Sequence, residues 1–376
     1  MKPIVLFFQS TWSKSWRDKL AGVYKFADSI GWHIQVIESG LSPRGVRETL
    51  KRWNPIGCLV DRGLQNGKAP VRTFGKTPVV FLDQNPHTAD ACTALTHDSA
   101  ASTRLAISEL LRRGLERLAF VSWKESHFWE LERRIALQTY ASSNGLEHYS
   151  TTLNAQTEQW LLRLPKPCGI VCASDITAQQ ILSMAMLCKI AVPDEIAVVG
   201  IDNDEGICEH TIPTLTSVAP DFVAAGYRLG ELLQRRIQRR IPRVVLETYG
   251  PREIVIRESS LWMPSVDPRV RKALSLIRAS LANPDLSVKG IIATMNCSRT
   301  FADTLFQRAI GHSIINEIHH QRILLACKLL RNPRQRISPI PSLCGYMSEP
   351  FFKCLFKKET GLTMREWRKQ NATSRA

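Results

Sequence analysis

Two sets of residues in this 376-residue chain have types and spacing that could do chemistry. The first set stands just after short apolar runs in the N-terminal two thirds. Trp12 and Trp16 follow the run Pro3 to Phe8, and Arg17 comes next. Asp98 lies after an apolar stretch, Asp175 after Ile170 to Cys172, and Asp202 after Ala197 to Ile201. Arg133 sits in LERRIA, where its neighbour Arg134 competes for the same role. Carboxylates accept paired hydrogen bonds, a guanidinium donates them and an indole offers an apolar face, so this set suits a small polar ligand. The second set lies near the C-terminus. It comprises Ser298, Arg299, Thr300, Asp303, Thr304 and Arg308, then Ser348, Glu349, Lys353, Lys357 and Lys358. Polar and cationic side chains on one short helix can reach base edges and phosphates. A plainer reading stands beside each. Asp98 and Asp175 can be helix caps, Trp12 a loop anchor, Arg133 a surface charge, and Arg299 a surface helix residue.

Enzymatic readings fail on spacing. GLQNGKAP at Gly63 to Pro70 lacks the glycine spacing of a phosphate loop and has no Ser or Thr after its Lys. Asp202 and Asp204 are two apart on a chain leaving a strand, where the strand's alternation no longer holds them to one face, so they are not expected to form a carboxylate pair. His319-His320 lacks the HExxH spacing, and no Gly-x-Ser-x-Gly elbow occurs. The ten Cys are scattered without a CxxC, which suits core thiols in a reduced compartment better than a metal site. No catalytic residue, cofactor or metal is expected.

The elements that must position these residues alternate. Strand-like runs at Pro3 to Phe8, His33 to Ile37, Ile56 to Val60 and Pro78 to Leu82 are separated by helical periodicity at Trp16 to Ile30 and Arg44 to Trp53. The alternation continues through a helix from Asp98 to Arg113, strands Leu118 to Val121, Gly169 to Cys172 and Glu195 to Ile201, and helices Trp129 to Ser142 and Asp175 to Cys188. A strongly basic helix, Phe222 to Arg240, and two short strands at 244–246 and 254–256 complete it. Such alternation predicts doubly wound parallel sheets, here as two α/β units in series, around residues 3–113 and 115–240. SSLWMPSVDP, with two Pro and no periodicity, reads as a linker over 259–268. Beyond it, two helical hairpins are spaced as helix-turn-helix units. One turns at Asn296-Cys297 and the other at Gly345-Tyr346, with a long helix from Ile318 to Leu330 between them. Pro339 and Pro341 delay or distort the first helix of the second hairpin.

Charge follows the same division. The net charge is +16, and residues 266–376 hold 19 Lys and Arg against 7 Asp and Glu. A basic third beside a near-neutral remainder marks a nucleic-acid footprint joined to a different task. No stretch of about 18 apolar residues is present to enter a membrane, and the short apolar start lacks a signal-peptide cleavage site.

Two resemblances sharpen these expectations. Ile337, Ile340, Gly345, Tyr346, Phe351, Phe352, Phe356, Lys357, Lys358, Gly361, Trp367 and Arg368 match a signature that resembles the AraC family of transcription regulators. Ala302 and Leu305 depart from that family's usual residues in the first hairpin. PDEIAVVGIDNDE, then PTLTSV, then the Gly226 helix, is similar to the sugar-binding domain of LacI-type repressors and periplasmic binding proteins. That resemblance aligns Asp202 as the strongest ligand contact, and likens the segment around Arg133 to a family helix start. Together they imply a two-lobed type I periplasmic-binding-protein-like α/β domain over 1–258, followed by an all-α DNA-binding domain over 269–376. The implied function is a cytoplasmic homodimer that binds a small sugar, with xylose expected. It would occupy promoter DNA and activate a sugar-utilisation operon by recruiting RNA polymerase. A repressor, a sensor of another sugar, or a sugar-binding protein whose basic tail leaves DNA alone are the alternatives.

Overall fold

A computed structural model of the chain describes residues 2–9, 13–38, 42–61, 70–83, 92–123, 127–241, 244–261, 267–330, 332 and 335–372. It divides into two compact units, Met1–Trp262 and Met263–Ala376. In chain order the first unit runs β1 (Ile4–Phe8), α1 (Lys14–Ile30), β2 (His33–Ile37), α2 (Pro43–Trp53), β3 (Gly57–Asp61), β4 (Val79–Leu82) and β5 (Ala94–His97). It continues with α3 (Ser99–Arg112), β6 (Arg117–Ser122), α4 (Phe128–Ser143), β7 (Glu147–Thr152), α5 (Thr157–Arg163), β8 (Cys168–Cys172) and α6 (Asp175–Leu187). Then come β9 (Ile196–Ile201), α7 (Glu205–Cys208), β10 (Thr216–Pro220), α8 (Phe222–Ile237), β11 (Leu246–Tyr249) and β12 (Pro251–Val255).

These strands form two six-stranded sheets, β11-β5-β4-β3-β1-β2 and β12-β10-β9-β8-β6-β7. All pairings are parallel except β10 with β12. The near-continuous apolar strands IVLFF, GCLVD and CGIVC are buried along their length because helices cover both faces. The lobes are not in series as the sequence suggested. The chain crosses between them at β5–α3, at β10–α8 and at β11–β12. Hence α3 packs in the second lobe, with Leu110 against β8, and α8 packs on α1 in the first. Strands β5, β7 and β10 were not expected, and β11 lies two residues beyond its expected place.

Two glycines allow α1 and α8 to touch backbone to backbone. A Cβ at Gly22 would lie 2.0 Å from the Val223 carbonyl oxygen, and one at Gly226 would lie 1.9 Å from that of Lys19. Ser259 and Ser260 are fully buried within the first unit, and Ser259 donates to the Val198 carbonyl at 2.6 Å. The expected linker therefore begins too early, because these hydroxyls finish the hydrogen bonding of the second sheet.

The second unit is helical: α9 (Pro268–Ala279), α10 (Val288–Met295), α11 (Arg299–Ile310), α12 (Ile314–Leu330), α13 (Ile340–Leu343), α14 (Glu349–Thr360) and α15 (Met364–Ala372). It has two cores. Val270, Leu274, Ile277, Ile291, Phe306 and Ile318 make one, and Ile323, Leu330, Ile340, Phe352, Phe356 and Met364 the other. Buried Arg322 on α12 joins the two halves, donating to the carbonyls of Leu281 at 3.0 Å and Asn283 at 2.7 Å. Its guanidinium also lies 4.9 Å from the Tyr346 ring centroid. Gly345 sits at φ 75°, where a Cβ would come within 2.5 Å of the Leu281 carbonyl oxygen.

Replacing Gly226 by Ala should lower stability by about 1–3 kcal/mol through overpacking. Thermal unfolding of the variant checks this, and an unchanged midpoint would mean that α1 and α8 do not pack this closely.

Candidate ligand cleft and nucleic-acid interface

The three crossovers meet at the carboxyl ends of the strands, where α/β sheets bind ligands. A cavity of about 240 Å³ opens there. It is smaller than the roughly 300–1,000 Å³ that holds a drug-sized molecule, so it suits a small ligand. Trp16, Lys19, Asp83, His97 and Tyr249 line it from the first lobe and its crossovers, and Trp129, Arg133 and Asp202 from the second. Phe128 and Phe222 add apolar faces.

Lys19 lies on the buried stripe of α1, with Gly22, Val23, Phe26 and Ala27. Its ammonium donates to Asp83 Oδ2 at 2.6 Å and sits 3.4 Å from Asp61 Oδ2. Burial disfavours that charge, but Asp61 and Asp83 outweigh it and raise the Lys19 pKa well above its usual value. Asp83, at φ 51°, accepts from the His97 backbone N–H at 3.0 Å and from the Tyr249 hydroxyl at 3.1 Å. Burial, followed by the charge of Asp83, raises the Tyr249 pKa, so the phenol stays protonated and donates.

His97 carries this network to the second lobe. Arg133 can only donate, so His97 Nδ1, 3.2 Å from the guanidinium, is the acceptor. Its Nε2 then holds the proton and donates to Ser102 Oγ at 2.9 Å. Burial, then Arg133 and Lys19, hold His97 neutral. Arg133 also donates to the Ala173 carbonyl and stacks 4.7 Å from the Trp129 ring centroid. Its buried Nε has no partner among the described residues. Asp202 faces the same cavity, held at φ 124° by the turn after β9. An unsatisfied buried donor and a carboxylate in a sparsely populated backbone region are features that a bound ligand would explain.

The residues expected from sequence divide here. Asp202, Arg133 and Trp16 reach the cavity. Asp98 does not. Its carboxylate caps α3, accepting from the Ala101 N–H at 2.7 Å, and it lines a separate groove outside the cleft. Asp175 does not either. It accepts from Ser217 Oγ at 2.5 Å, the Asp204 N–H at 2.7 Å and the Cys208 thiol at 3.3 Å, so its oxygens are spent inside the second lobe. Arg17 is exposed beside Trp16 and does not line the cavity, because the helical turn puts Lys19 there instead. Trp12 lies outside the described residues. Sequence reading missed Lys19, Asp83, His97 and Tyr249. The spacing of Lys19 from Val23 and Phe26 was the available signal for the first.

In the second unit, the Ser298 and Ser348 hydroxyls cap α11 and α14, accepting from the N–H of Phe301 at 3.3 Å and of Phe351 at 3.4 Å. That fixes the start of each helix. Arg299 and Thr300 are exposed in the first turn of α11. Arg299 Nε lies 3.9 Å from Asp303, and Thr304 donates to the Thr300 carbonyl at 2.8 Å. Arg308, Lys357 and Lys358 are exposed in last turns. Lys353 pairs with Glu349 at 2.7 Å, which orients both across one face of α14. Two capped helices, each after a tight turn, expose Arg299 and Thr300 at the start of α11 and Glu349 at the start of α14, beside the exposed rings of Phe301 and Phe351, with cations behind them.

The family described as the periplasmic binding protein-like domain matches residues 107–260. A two-lobed ligand-binding unit joined to a paired helix-turn-helix unit defines a transcription regulator rather than an enzyme. The "Xylose operon regulatory protein" of Haemophilus influenzae is 30% identical over 284 residues, covering 72% of this chain and 73% of that protein. The "HTH-type transcriptional activator RhaR" of Escherichia coli is 28% identical over 113 residues, 30% of this chain and 40% of that protein. The solved "structure of xylose-binding transcription activator xylR" superposes with a TM-score of 0.80 at 24% identity, covering 99% of both chains. The chain belongs to the xylose operon regulatory protein family.

Burial, aided by Asp175, pushes the Asp202 carboxyl up to about 7, while Arg133 and Lys19 pull against that rise. A raised carboxyl pKa means the folded chain holds a proton that the unfolded chain releases. Its stabilising effect is therefore complete below about pH 4 and lost as pH rises through about 7. Asp202→Asn mimics the protonated form, so its stability relative to wild type should grow from pH 4 to 8. Thermal unfolding across that range measures the gap. Wild type as stable as the variant at pH 8 would contradict the burial of this charge.

Proposed function

We propose that the cleft binds a small neutral sugar, with xylose the expected one, and that the helical unit binds promoter DNA. One observation carries the reading. Arg133, with a spare buried donor, and Asp202, an acceptor, share a small cavity with the Trp129 face. Ring hydroxyls need such donors and acceptors, and the C–H face of a sugar needs such an indole. Lys19 and Arg133 together offset the carboxylates of Asp61 and Asp83, and burial raises the Asp202 carboxyl toward its neutral form, so the cavity favours an uncharged ligand. The names of the relatives support the sugar and the regulation of an operon.

The mechanism follows from the lobes. A sugar touching Arg133 and Asp202 on one lobe and the Lys19–Asp83–His97 set on the other favours one lobe arrangement. It shifts the population only by its differential affinity for that arrangement. In a cytoplasmic homodimer this would change how two DNA-binding units are presented to paired half-sites, and activation would follow by recruitment of RNA polymerase. Arg299, first in its helix, would read guanine, and Lys357 and Lys358, in the last turn of α14, would meet phosphate.

Thermal-shift and calorimetric screening over pentoses and hexoses tests the ligand. Xylose should raise the unfolding temperature, and Asp202→Ala should remove that shift. An Asp202→Ala variant with wild-type sugar affinity would sink the site. For DNA, a duplex selected by the full chain from a random pool serves as operator. Arg299→Ala should lower preference for it over scrambled DNA, since a bidentate guanine contact contributes about 1–3 kcal/mol of discrimination. Lys357→Ala should weaken both alike and reduce the salt slope by about one. An intact specificity ratio in Arg299→Ala would show that this residue does not read bases.

A further inference from the structure

The end of the first lobe opposite the cleft carries positive charge that neither the cleft nor the helix-turn-helix units use. Backbone hydrogen bonds lay the strand starts side by side there. His33 N–H donates to the Pro3 carbonyl at 2.8 Å, Ile56 N–H to that of Ile4 at 2.9 Å, and Cys58 N–H to that of Pro78 at 2.8 Å. The last turn of α2, with Lys51 and Arg52, arrives at this edge just before β3. The end of α8 arrives at it too, because a Cβ on Gly57 would lie 2.9 Å from Leu233 and 3.3 Å from Ile237. Arg239 and Arg240 follow that helix end, Lys2 precedes β1, and Lys76 stands two residues before Pro78. All six cations are exposed, and among the described residues none is paired with a carboxylate. Acidic residues at this end include Asp28, in the last turn of α1, and Glu247, the second residue of β11, which pairs with Arg228 and lies 3.9 Å from Arg235.

The cations in the last turn of α2 also complement its dipole. Arg239 and Arg240 follow the C-terminal end of α8 in the same way, whereas Lys2 and Lys76 stand at no α-helix end, so the dipole does not account for those two. We infer that this basic edge is a second, sequence-independent DNA-contacting surface, engaging phosphates beyond those met by the base-reading helices. The cations stand at the starts of β4, β3 and β1, three neighbouring strands, which at about 4.8 Å spacing span roughly 10 Å, the length of about three base pairs. A membrane-binding patch or a protein-docking patch would add exposed apolar anchors. Around the cations, at residues 2–4, 51–57, 76–79 and 235–241, no large apolar side chain is exposed; the exposed Val244 and Leu246 stand at the start of β11, two strands beyond β4.

The inference rests on the reading of this chain as a DNA-binding regulator. The test therefore uses the full chain, a 40-base-pair random-sequence duplex and fluorescence anisotropy at several KCl concentrations. Replacing Lys51, Arg52, Arg239 and Arg240 together by Ser should lower the slope of log affinity against log salt by about three to four, at about 0.9 for each phosphate no longer neutralised. A variant with the three arginines changed to Lys should keep the wild-type slope. A wild-type slope in the Ser variant, while Lys357→Ala lowers it, would overturn the inference and leave DNA binding through α14 standing. A wild-type slope in both would remove both. An equal drop in the Lys variant would assign the effect to disturbed folding and overturn the inference. Loss of binding only to phosphatidylserine vesicles would overturn it in favour of a membrane surface.

Discussion

An ammonium group buried within the first lobe must be matched by negative charge, and much of the cleft is arranged around that requirement. Lys19 is 4% exposed, and its partners Asp61 and Asp83 are each 6% exposed. Removing Lys19 would leave two buried carboxylates without their shared ammonium, typically a loss of about 3–5 kcal/mol. Lys19 reaches this position because Gly22 and Gly226 let α1 lie directly on α8. Asp61 and Asp83 meet it because β3 and β4 are neighbours that end together. Asp83 is fixed in turn by the His97 N–H and the Tyr249 hydroxyl, from two of the three interlobe crossovers. Helix contact, strand order and crossover connections therefore converge on one charge.

The same network makes the cleft sensitive to lobe arrangement. His97 touches Lys19's partner through its backbone and Arg133 through its ring, so the two lobes share a hydrogen bond beside the cavity. The His97 ring lies beside Tyr249, whose centroid is 5.1 Å away, and Phe222 lies 6.3 Å from Tyr249. All three crossovers thus contribute a ring at the pivot. The second unit shows the opposite economy. Each of its halves is held by a local core, and the buried Arg322 with Gly345 sets how the halves meet.

The alternation of apolar runs with helical periodicity made the α/β class and the paired helical hairpins legible in the sequence. The lobe assignment was not, because a crossover such as β5–α3 reads locally like any other strand followed by a helix. A long motif aligns Asp202, and its side chain lines the cavity. Asp98 and Asp175 were chosen by the same rule, a carboxylate after an apolar run, which also describes a helix cap or a first-turn acid. Only the three-dimensional hydrogen bonding separates these roles. Lys19 was missed because a lysine on an amphipathic helix is ordinarily solvated, and its partners lie 42 and 64 residues away. Tyr249 was missed because it ends a short edge strand that was placed two residues early.

The central claim is that sugar and promoter DNA act on one equilibrium of this protein. Linkage then requires each ligand to change the affinity of the other by the same factor. The direct measurement is calorimetric titration of xylose into the full chain, first alone and then saturated with its selected promoter duplex. The account predicts two different xylose affinities, whose ratio equals the change in DNA affinity caused by saturating xylose. Identical affinities with and without DNA would contradict it.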